Sequence, residues 1–289
     1  MQCWSKLITL GLIGACICLA LSGCEGDVTG PSLRDEIAVF GFLYVGEAVS
    51  DSNAVLVTRT QPVLDSFDPV EAAVTNATVT LRREGDSVGD TLSMVRPGYY
   101  ANPSITIDML TAYHLTVSVP GEEVITATTT TPVSYNLLSG PRPLPGTMRH
   151  ADIPDRFPFE LVCYDEEQIF FLDVYCLESW EDARYIIPFG DHDRPDDEEE
   201  YGYDNGEPRR ISAYFHIKDV ARQGSRYTID FYSALMVFWG KYEVSLLTVD
   251  DNYYNYLYRE HPEESGGIVG GIGVFGSGCR SRYLVKVIE

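Results

Sequence analysis

The sequence predicts a mainly β protein built from two β-rich domains with one short helix. Apolar and polar residues alternate over many short segments, which is the period of a half-buried strand. Glycine, proline, asparagine and aspartate separate these segments at short intervals, as they do in antiparallel sheets. Hydrophobic residues make up 45% of the 289 residues, so the chain carries enough apolar surface to form a folded core.

Residues 36–132 predict the first domain. Within residues 77–81, alanine, valine and leucine alternate with polar residues, and residues 113–130 carry the same pattern on both sides of the turn Pro120-Gly121. The latter segment therefore predicts a hairpin. About seven short strands in roughly 100 residues, with no segment of helical spacing, are typical of an antiparallel sandwich of the immunoglobulin or transthyretin type.

The second half predicts another β-rich domain. Residues 133–158 are rich in proline and form a rather stiff connector, and strand-like segments resume across residues 159–289. The predicted helix follows Asp250 or Asp251, either of which can cap it, and its tyrosines and leucine have helical spacing. Pro262 ends it.

The N-terminus has the pattern of an export signal. Lys6 precedes an apolar run at residues 7–21, and the first acidic residue comes only after Cys24. The run is shorter than the roughly 20 residues that a membrane-spanning helix needs. Because a small Ser-Gly pair precedes Cys24, the site resembles a bacterial lipobox. We therefore expect residues 1–23 to be a signal peptide, Cys24 to carry fatty acyl chains such as palmitate, and residues 24–35 to be a tether.

The charge excludes some partners. A formal net charge of -22 disfavours nucleic acid and anionic membrane surfaces, so we expect no nucleic-acid role. The predicted membrane contact is the lipid alone. We therefore expect a protein of the cell envelope that is anchored in the outer membrane, and Glu25 and Asp27, which resemble an acidic export signal, favour display at the cell surface.

Few of the cysteines belong to the folded part of the chain, because the others lie in the predicted signal peptide or at the acylation site. Cys163, Cys176 and Cys279 are the cysteines expected in the folded part. An exported compartment permits a disulfide, and Cys163 with Cys176 is the favoured pair because they flank adjacent strand-like segments. Three buried free thiols are the alternative.

Catalytic motifs are absent from the sequence. The five histidines are scattered without zinc-ligand spacing, and neither a Gly-x-Ser-x-Gly segment nor a phosphate-binding loop occurs. Ser277 lies between glycines without an identifiable base, so a turn or strand position is the better interpretation. We therefore expect a non-catalytic protein, and an unusual hydrolase is only a remote alternative.

Two segments are candidate binding sites. An acidic run spanning residues 191–207 offers carboxylate oxygens of the kind that Ca²⁺ prefers, although Pro195 interrupts the order of an EF-hand and a solvated loop is the simpler interpretation. Its candidate ligands are Asp191, Asp193, Asp196, Asp197 and Glu198. No other cofactor is expected.

The second candidate is the tyrosine-rich helix, whose aromatic residues are Tyr253, Tyr254, Tyr256 and Tyr258. Four tyrosines over six residues cannot share one helix face, so some should be exposed and able to stack against a sugar or a peptide. The alternative is amphipathic packing at a domain edge. The glycines that follow either allow close backbone approach or mark bulges.

Several sequence blocks occur in the order of a known family. They are Val39-Phe40-Gly41-Phe42-Leu43, the block from Val74 to Leu81, Gly98-Tyr99-Tyr100, the block from Tyr113 through Thr130-Thr131-Pro132, and a tyrosine-rich helix before Gly273-Val274-Phe275-Gly276. With the lipobox leader, these resemble the exported lipoproteins grouped as domain of unknown function 4249. The long acidic run and the shortness of the chain depart from that pattern.

The resemblance implies an envelope lipoprotein without established catalytic residues, and a TonB-dependent outer-membrane receptor as partner. The expected function is therefore that of an accessory or scaffold protein of such a receptor. The alternative is a surface lipoprotein that binds glycan or peptide through the tyrosine-rich region.

Overall fold

A computed structural model describes residues 35–61, 68–139, 146–149, 156–179, 182, 184, 186, 209–232, 236–261 and 265–289. In the first half of the chain the strands are short and separated by turns. They are β1 (Ile37–Tyr44), β2 (Ala48–Val49), β3 (Val55–Arg59), β4 (Thr78–Arg83), β5 (Asp90–Arg96), β6 (Tyr99–Thr106), β7 (Ala112–Ser118) and β8 (Ile125–Thr130).

In the second half the strands include two long ones and flank a helix, α1 (Asp251–Tyr258). The strands are β9 (Asn136–Ser139), β10 (Gly146–Arg149), β11 (Arg156–Val162), β12 (Ile169–Cys176), β13 (Arg210–His216), β14 (Ala221–Gln223), β15 (Arg226–Tyr232), β16 (Gly240–Val249), β17 (Ile268–Val269) and β18 (Ile272–Ile288). The mainly β class with one short helix, predicted from the alternation, is confirmed.

The N-terminal strands enclose a first core. Val79 and Leu81 of β4 are buried, as are Leu115 and Val117 of β7, and the two strands pair antiparallel with Val79 opposite Val117. The predicted hairpin is also present, because β7 pairs antiparallel with β8 and Leu115 lies opposite Ala127. Alternation in the sequence thus identified the buried face of each of these strands.

A second core lies between two sheets. Phe170 of β12 and Leu246 of β16 come from the large sheet, and Leu161 of β11 and Tyr227 of β15 come from a four-stranded sheet ordered β14-β15-β11-β9. All four are buried. The Tyr135 hydroxyl donates to the Leu246 carbonyl at 2.6 Å, which satisfies the polar end of a buried ring.

The two ends of the chain meet in one large sheet. Its strand order is β13-β12-β16-β18-β1-β3-β6-β5-β4-β7-β8-β17. β18 pairs parallel with β1 through its first half, where Val39 lies opposite Gly273, and antiparallel with β16 through Val249 opposite Gly278 and beyond. Phe275 of β18 is buried in the first core. The division into residues 36–132 and 159–289 stays a prediction, and the sheet is continuous across it.

No helix among the residues listed above is long and apolar enough to cross a bilayer.

The cysteines among the described residues, Cys163, Cys176 and Cys279, are free thiols, so the favoured bond between Cys163 and Cys176 is not formed. Both side chains belong to the second core, but Cys163 directly follows β11 whereas Cys176 is the last residue of β12. β11 belongs to the four-stranded sheet and β12 to the large sheet, so the two thiols come to the second core from different sheets. The thiol of Cys163 instead donates to the Asp165 carbonyl at 3.3 Å.

Glycine is required where β18 meets β1. Gly273 has a φ of +113°, and a Cβ atom there would lie 2.2 Å from the carbonyl oxygen of Val39. A Cβ atom on Gly266 would lie 2.0 Å from the carbonyl oxygen of Gly273. Of the two interpretations of this glycine-rich segment, close backbone approach is therefore the one that these two positions support.

We predict that Gly273→Ala destabilises the fold by several kcal/mol, because backbone strain of about 1–3 kcal/mol adds to the clash with Val39. Gly121→Ala is the matched control, since Gly121 also has a positive φ, +90°, but has nothing within 4 Å of the added Cβ atom. Urea denaturation of both variants measures the difference. Equal losses of stability would show that the close approach of β18 to β1 contributes nothing.

Candidate functional site

One face of the large sheet is open and carries polar side chains. On β12, β16 and β18, alternate residues enter the second core, as Phe170, Leu246 and Val285 do. The residues between them point to the opposite face, which is lined by charged and aromatic side chains. A strand has a period of two, so each of these three strands supplies one row of core residues and one row of residues on the open face.

The helix α1 lies over one end of this open face. Of the two caps that the sequence allowed, Asp250 and Asp251, the N-cap is Asp250, whose Oδ1 accepts a hydrogen bond from the Tyr253 backbone N–H at 3.1 Å. Asn252 ties the first turn to the sheet, because its Nδ2 donates to the carbonyls of Thr128 at 2.8 Å and Phe275 at 2.9 Å.

The four predicted tyrosines point in different directions. Tyr253 faces inward, with its ring centroid 4.8 Å from that of Phe42 and 6.1 Å from that of Phe171. Tyr256 packs edge-to-face against Phe40 of β1 at 6.2 Å. These two tyrosines anchor the helix, which fits the amphipathic interpretation of the sequence.

Tyr254 and Tyr258 form an exposed cluster with a residue that the sequence did not single out. Tyr214 of β13 lies 4.3 Å from Tyr258 and 5.6 Å from Tyr254 between ring centroids, and the two helix tyrosines are 5.3 Å apart. Tyr258 is 48% exposed and Tyr214 is 42% exposed. We call Tyr214, Tyr254 and Tyr258 the aromatic platform. Burial raises the pKa of Tyr258, so its hydroxyl stays protonated and neutral at physiological pH.

A groove of about 510 Å³ runs between the helix and the open face. Aromatic and apolar side chains form its helix side, and charged and hydroxyl side chains form its floor. The lining residues are Tyr44, Phe171, Asp173, Arg210, Ser212, Glu243, Ser245, Leu247, Tyr253, Leu257, Tyr258, Arg280 and Arg282.

Strand register arranges the floor in rows across the sheet. Ser212 lies opposite Asp173, Asp173 lies opposite Ser245, and Ser245 lies opposite Arg282. We call these four residues the polar row. The neighbouring row, about 7 Å away along the strands, contains Tyr214 of the aromatic platform opposite Phe171. A ligand lying along the groove would therefore meet aromatic rings on one side and hydroxyl and charged groups on the other.

Two of the arginines in the groove are held by acidic partners. Arg280 donates from Nε and Nη2 to both carboxylate oxygens of Glu47, at 2.7 and 2.6 Å, and its guanidinium lies 3.6 Å from the centroid of the Tyr44 ring. Arg210 donates to Asp173 at 2.8 Å, and the hydroxyl of Ser212 donates to the other oxygen of the same carboxylate. These contacts fix the orientation of the floor.

The sequence did not single out the floor of this groove. The pattern Arg280-Ser281-Arg282 in the last strand does place both arginines on one face. However, which face is open, and which strands lie beside β18, depends on pairings between residues far apart in the chain. Of the predicted site residues that the structure describes, Tyr253 and Tyr258 line this groove, whereas Tyr254 and Tyr256 do not.

A second cleft of about 480 Å³ lies on the other side of the α1 N-terminus, between β8 and the start of β12. Asp250, which lines it, belongs to a buried hydrogen-bonded chain. The Thr129 hydroxyl donates its proton to Asp250, so the Ser277 hydroxyl, 2.7 Å from Thr129, is the donor in that second contact. Ser277 is fully buried, so it has the structural role that the sequence favoured over a nucleophile.

The remaining predicted sites are not part of this groove. Cys24 and the acidic residues Asp191, Asp193, Asp196, Asp197 and Glu198 lie outside the described residues, so acylation and Ca²⁺ binding there stay predictions. Within the described part of the chain, no group of three or more histidine, cysteine, aspartate or glutamate residues is placed to hold a metal ion.

Fold and groove together define a class of protein: a β-sandwich protein with an open, aromatic-lined surface groove. The chain matches the family described as a domain of unknown function (DUF4249) over residues 36–277, and it belongs to that family. The resemblance inferred from the sequence blocks is thereby confirmed. The description assigns no activity, so the functional inference depends on the site.

No curated protein matches the chain. Among the solved structures that match is that of the FN1–FN3 domains of chicken CNTN1. The match covers 86% of this chain and 68% of that chain, with 8% sequence identity and a TM-score of 0.16.

The burial of Asp250 makes the stability of the fold depend on the protonation of its carboxyl. Desolvation raises the pKa of this carboxyl from its ordinary 3.8 to about 6. The hydrogen bond from Thr129 lowers the pKa, but its effect is smaller than that of desolvation. The folded state therefore holds the proton more tightly than the unfolded state does. The stabilisation is complete below about pH 4 and is lost as the pH rises through about 6.

We predict that the wild-type free energy of unfolding falls by about 3 kcal/mol relative to that of Asp250→Asn between about pH 4 and pH 7, because asparagine caps the helix without titrating. Urea denaturation across this range measures the effect. Asp251→Asn is the control, since Asp251 is the exposed neighbour in the same helical turn. If the free energies of unfolding of wild type and Asp250→Asn differed by the same amount at all pH values, the prediction would be contradicted.

Proposed function

We propose that this protein is a non-catalytic, lipid-anchored protein of the cell envelope that binds saccharides in the groove beneath α1. The observation that carries the proposal is the exposed aromatic platform beside the polar row. Because the resemblance to the exported lipoproteins implies no catalytic residues, binding is the function that the groove supports best.

The chemistry of the groove suits a sugar better than a folded protein surface. A pyranose ring presents an apolar C–H face, which packs on an aromatic ring such as Tyr258, and hydroxyl groups at its edges. Asp173 accepts hydrogen bonds, Arg282 donates them, and the hydroxyl of Ser245 does both. A few placed polar groups beside apolar rings are the usual composition of a small-molecule site.

The contacts of Asp173 fix its place in the groove. Arg210 and Ser212 each donate to one oxygen of its carboxylate and hold it in one orientation. Asp173 is thus suited to accept hydrogen bonds from ligand hydroxyls.

We predict that Tyr258→Ala weakens saccharide binding about tenfold or more, because loss of a stacking ring costs about 1–2 kcal/mol. A glycan array with the detergent-solubilised lipoprotein, followed by titration calorimetry of the sugars retained, measures this. Tyr164→Ala is the matched control, since Tyr164 is 70% exposed and lies outside the groove. A protein that retains no sugar on the array, or that retains only peptides, would overturn the proposal.

A second candidate function is that of an accessory protein of a TonB-dependent outer-membrane receptor. It is favoured by the lipobox at Cys24 and by the family resemblance, which together imply a partner at the membrane. An available docking element is β13, which in the described part of the chain pairs with β12 and ends the large sheet. Such an edge presents backbone groups for strand addition.

We predict that Cys24→Ala leaves the fold intact but moves the protein from the membrane fraction to the soluble fraction, since the lipid is the proposed anchor. Fractionation and circular dichroism measure the two effects. Co-purification from detergent-solubilised envelope tests the receptor separately. A variant that stays membrane-bound would refute the lipid anchor, and purification without any TonB-dependent receptor would refute the second candidate.

A further inference from the structure

We propose that the groove selects acidic saccharides. Arg282 binds the carboxylate of one uronic acid unit, while a neighbouring sugar ring of the same oligosaccharide stacks on the aromatic platform. This proposal rests on the proposed saccharide-binding function and adds the chemical class of the sugar. It is carried by the charge of the open face and by the free guanidinium within it.

The open face is unlike the chain as a whole. The formal net charge is -22, so most of the surface repels an anionic ligand. The groove is lined by three arginines, Arg210, Arg280 and Arg282, and by two acids, Asp173 and Glu243, and the Glu47 carboxylate that binds Arg280 brings the acids to three. The groove is therefore close to neutral, so an anionic sugar would be repelled less there than by the rest of the surface.

Among these arginines, Arg282 is the one available to a ligand. Arg280 is engaged by both oxygens of Glu47, and Arg210 is engaged by Asp173. Arg282 is exposed and makes no hydrogen bond or ion pair with any residue that the structure describes. A planar guanidinium with free N–H groups matches a carboxylate through two parallel hydrogen bonds.

The spacing of the two binding elements fits an oligosaccharide. Arg282 is on β18, and Phe171, against which Tyr258 packs at 6.1 Å between ring centroids, is on β12. β16 lies between these strands, so the two elements are two strand spacings apart, or about 10 Å. Ser245, opposite Arg282, lies between them and meets ligand hydroxyls. A single sugar ring would not reach both elements, whereas a short oligosaccharide would.

Glu243 limits the affinity of an anionic ligand at Arg282, and its removal provides a test. It precedes Ser245 by two residues on the same strand face, so it is a diagonal neighbour of Arg282 in the groove. A ligand carboxylate at Arg282 would be repelled by this acid. Removing the charge by Glu243→Gln should therefore strengthen the binding of an acidic sugar several-fold and change the binding of its neutral counterpart much less.

The experiment compares tetragalacturonic acid with its fully methyl-esterified form by titration calorimetry on the detergent-solubilised lipoprotein. The two probes share the ring skeleton and differ in charge. We expect the acid to bind at least tenfold more tightly than the ester at low ionic strength, and the preference to shrink as salt is added. Arg282→Gln should abolish the preference by weakening the binding of the acid far more than that of the ester, and Arg282→Lys should retain part of the preference.

Lys286→Gln is the matched control, because Lys286 lies on the same strand face, is exposed and does not line the groove. It should leave both probes unaffected. Equal binding of the acid and the ester, or binding of neutral glycans alone, would overturn the inference and leave the saccharide-binding proposal standing. An acid preference that survives Arg282→Gln would overturn the role of Arg282. A protein that binds no saccharide would overturn both proposals.

Discussion

The parallel pairing of β1 with β18 is the constraint on which the rest of the structure depends. It joins the beginning of the folded chain to its end, so that one strand contributes Phe275 to the first core and Val285 to the second. The pairing requires backbones to approach where a side chain would clash, which is why glycine occupies position 273. Without this strand the large sheet would divide into two separate parts.

The position of α1 follows from that join. The helix begins where β16 ends, and Asp250 is held between Thr129 of β8 and Ser277 of β18. Its first turn is further fixed by Asn252, which bonds to backbone carbonyls of β8 and β18. Elements from both halves of the chain therefore set the place and angle of the helix. The groove beneath it exists because the helix covers only one end of the open sheet face.

The chemistry of the groove results from the different residue periods of the helix and of the strands that form its two sides. The helix turns its tyrosines in several directions, so Tyr253 and Tyr256 anchor it while Tyr254 and Tyr258 remain at its exposed side. The strands alternate, so their polar residues collect on the face away from the core. Aromatic rings and a row of hydroxyl and charged groups thereby come to lie side by side, which is the arrangement on which the saccharide proposals depend.

The sequence by itself determined the mainly β class, the β7–β8 hairpin, the helix with a cap at Asp250 or Asp251, and the family, because these follow from local periodicity, capping and the order of short blocks. It also pointed to the tyrosines of α1. Only the tertiary structure decided that Cys163 and Cys176 come to the second core from different sheets as free thiols, and that Tyr214, Asp173 and Arg282 join those tyrosines. Contacts of that kind depend on which strands become neighbours, and strand pairing over long separations leaves no local pattern in the residues that it brings together.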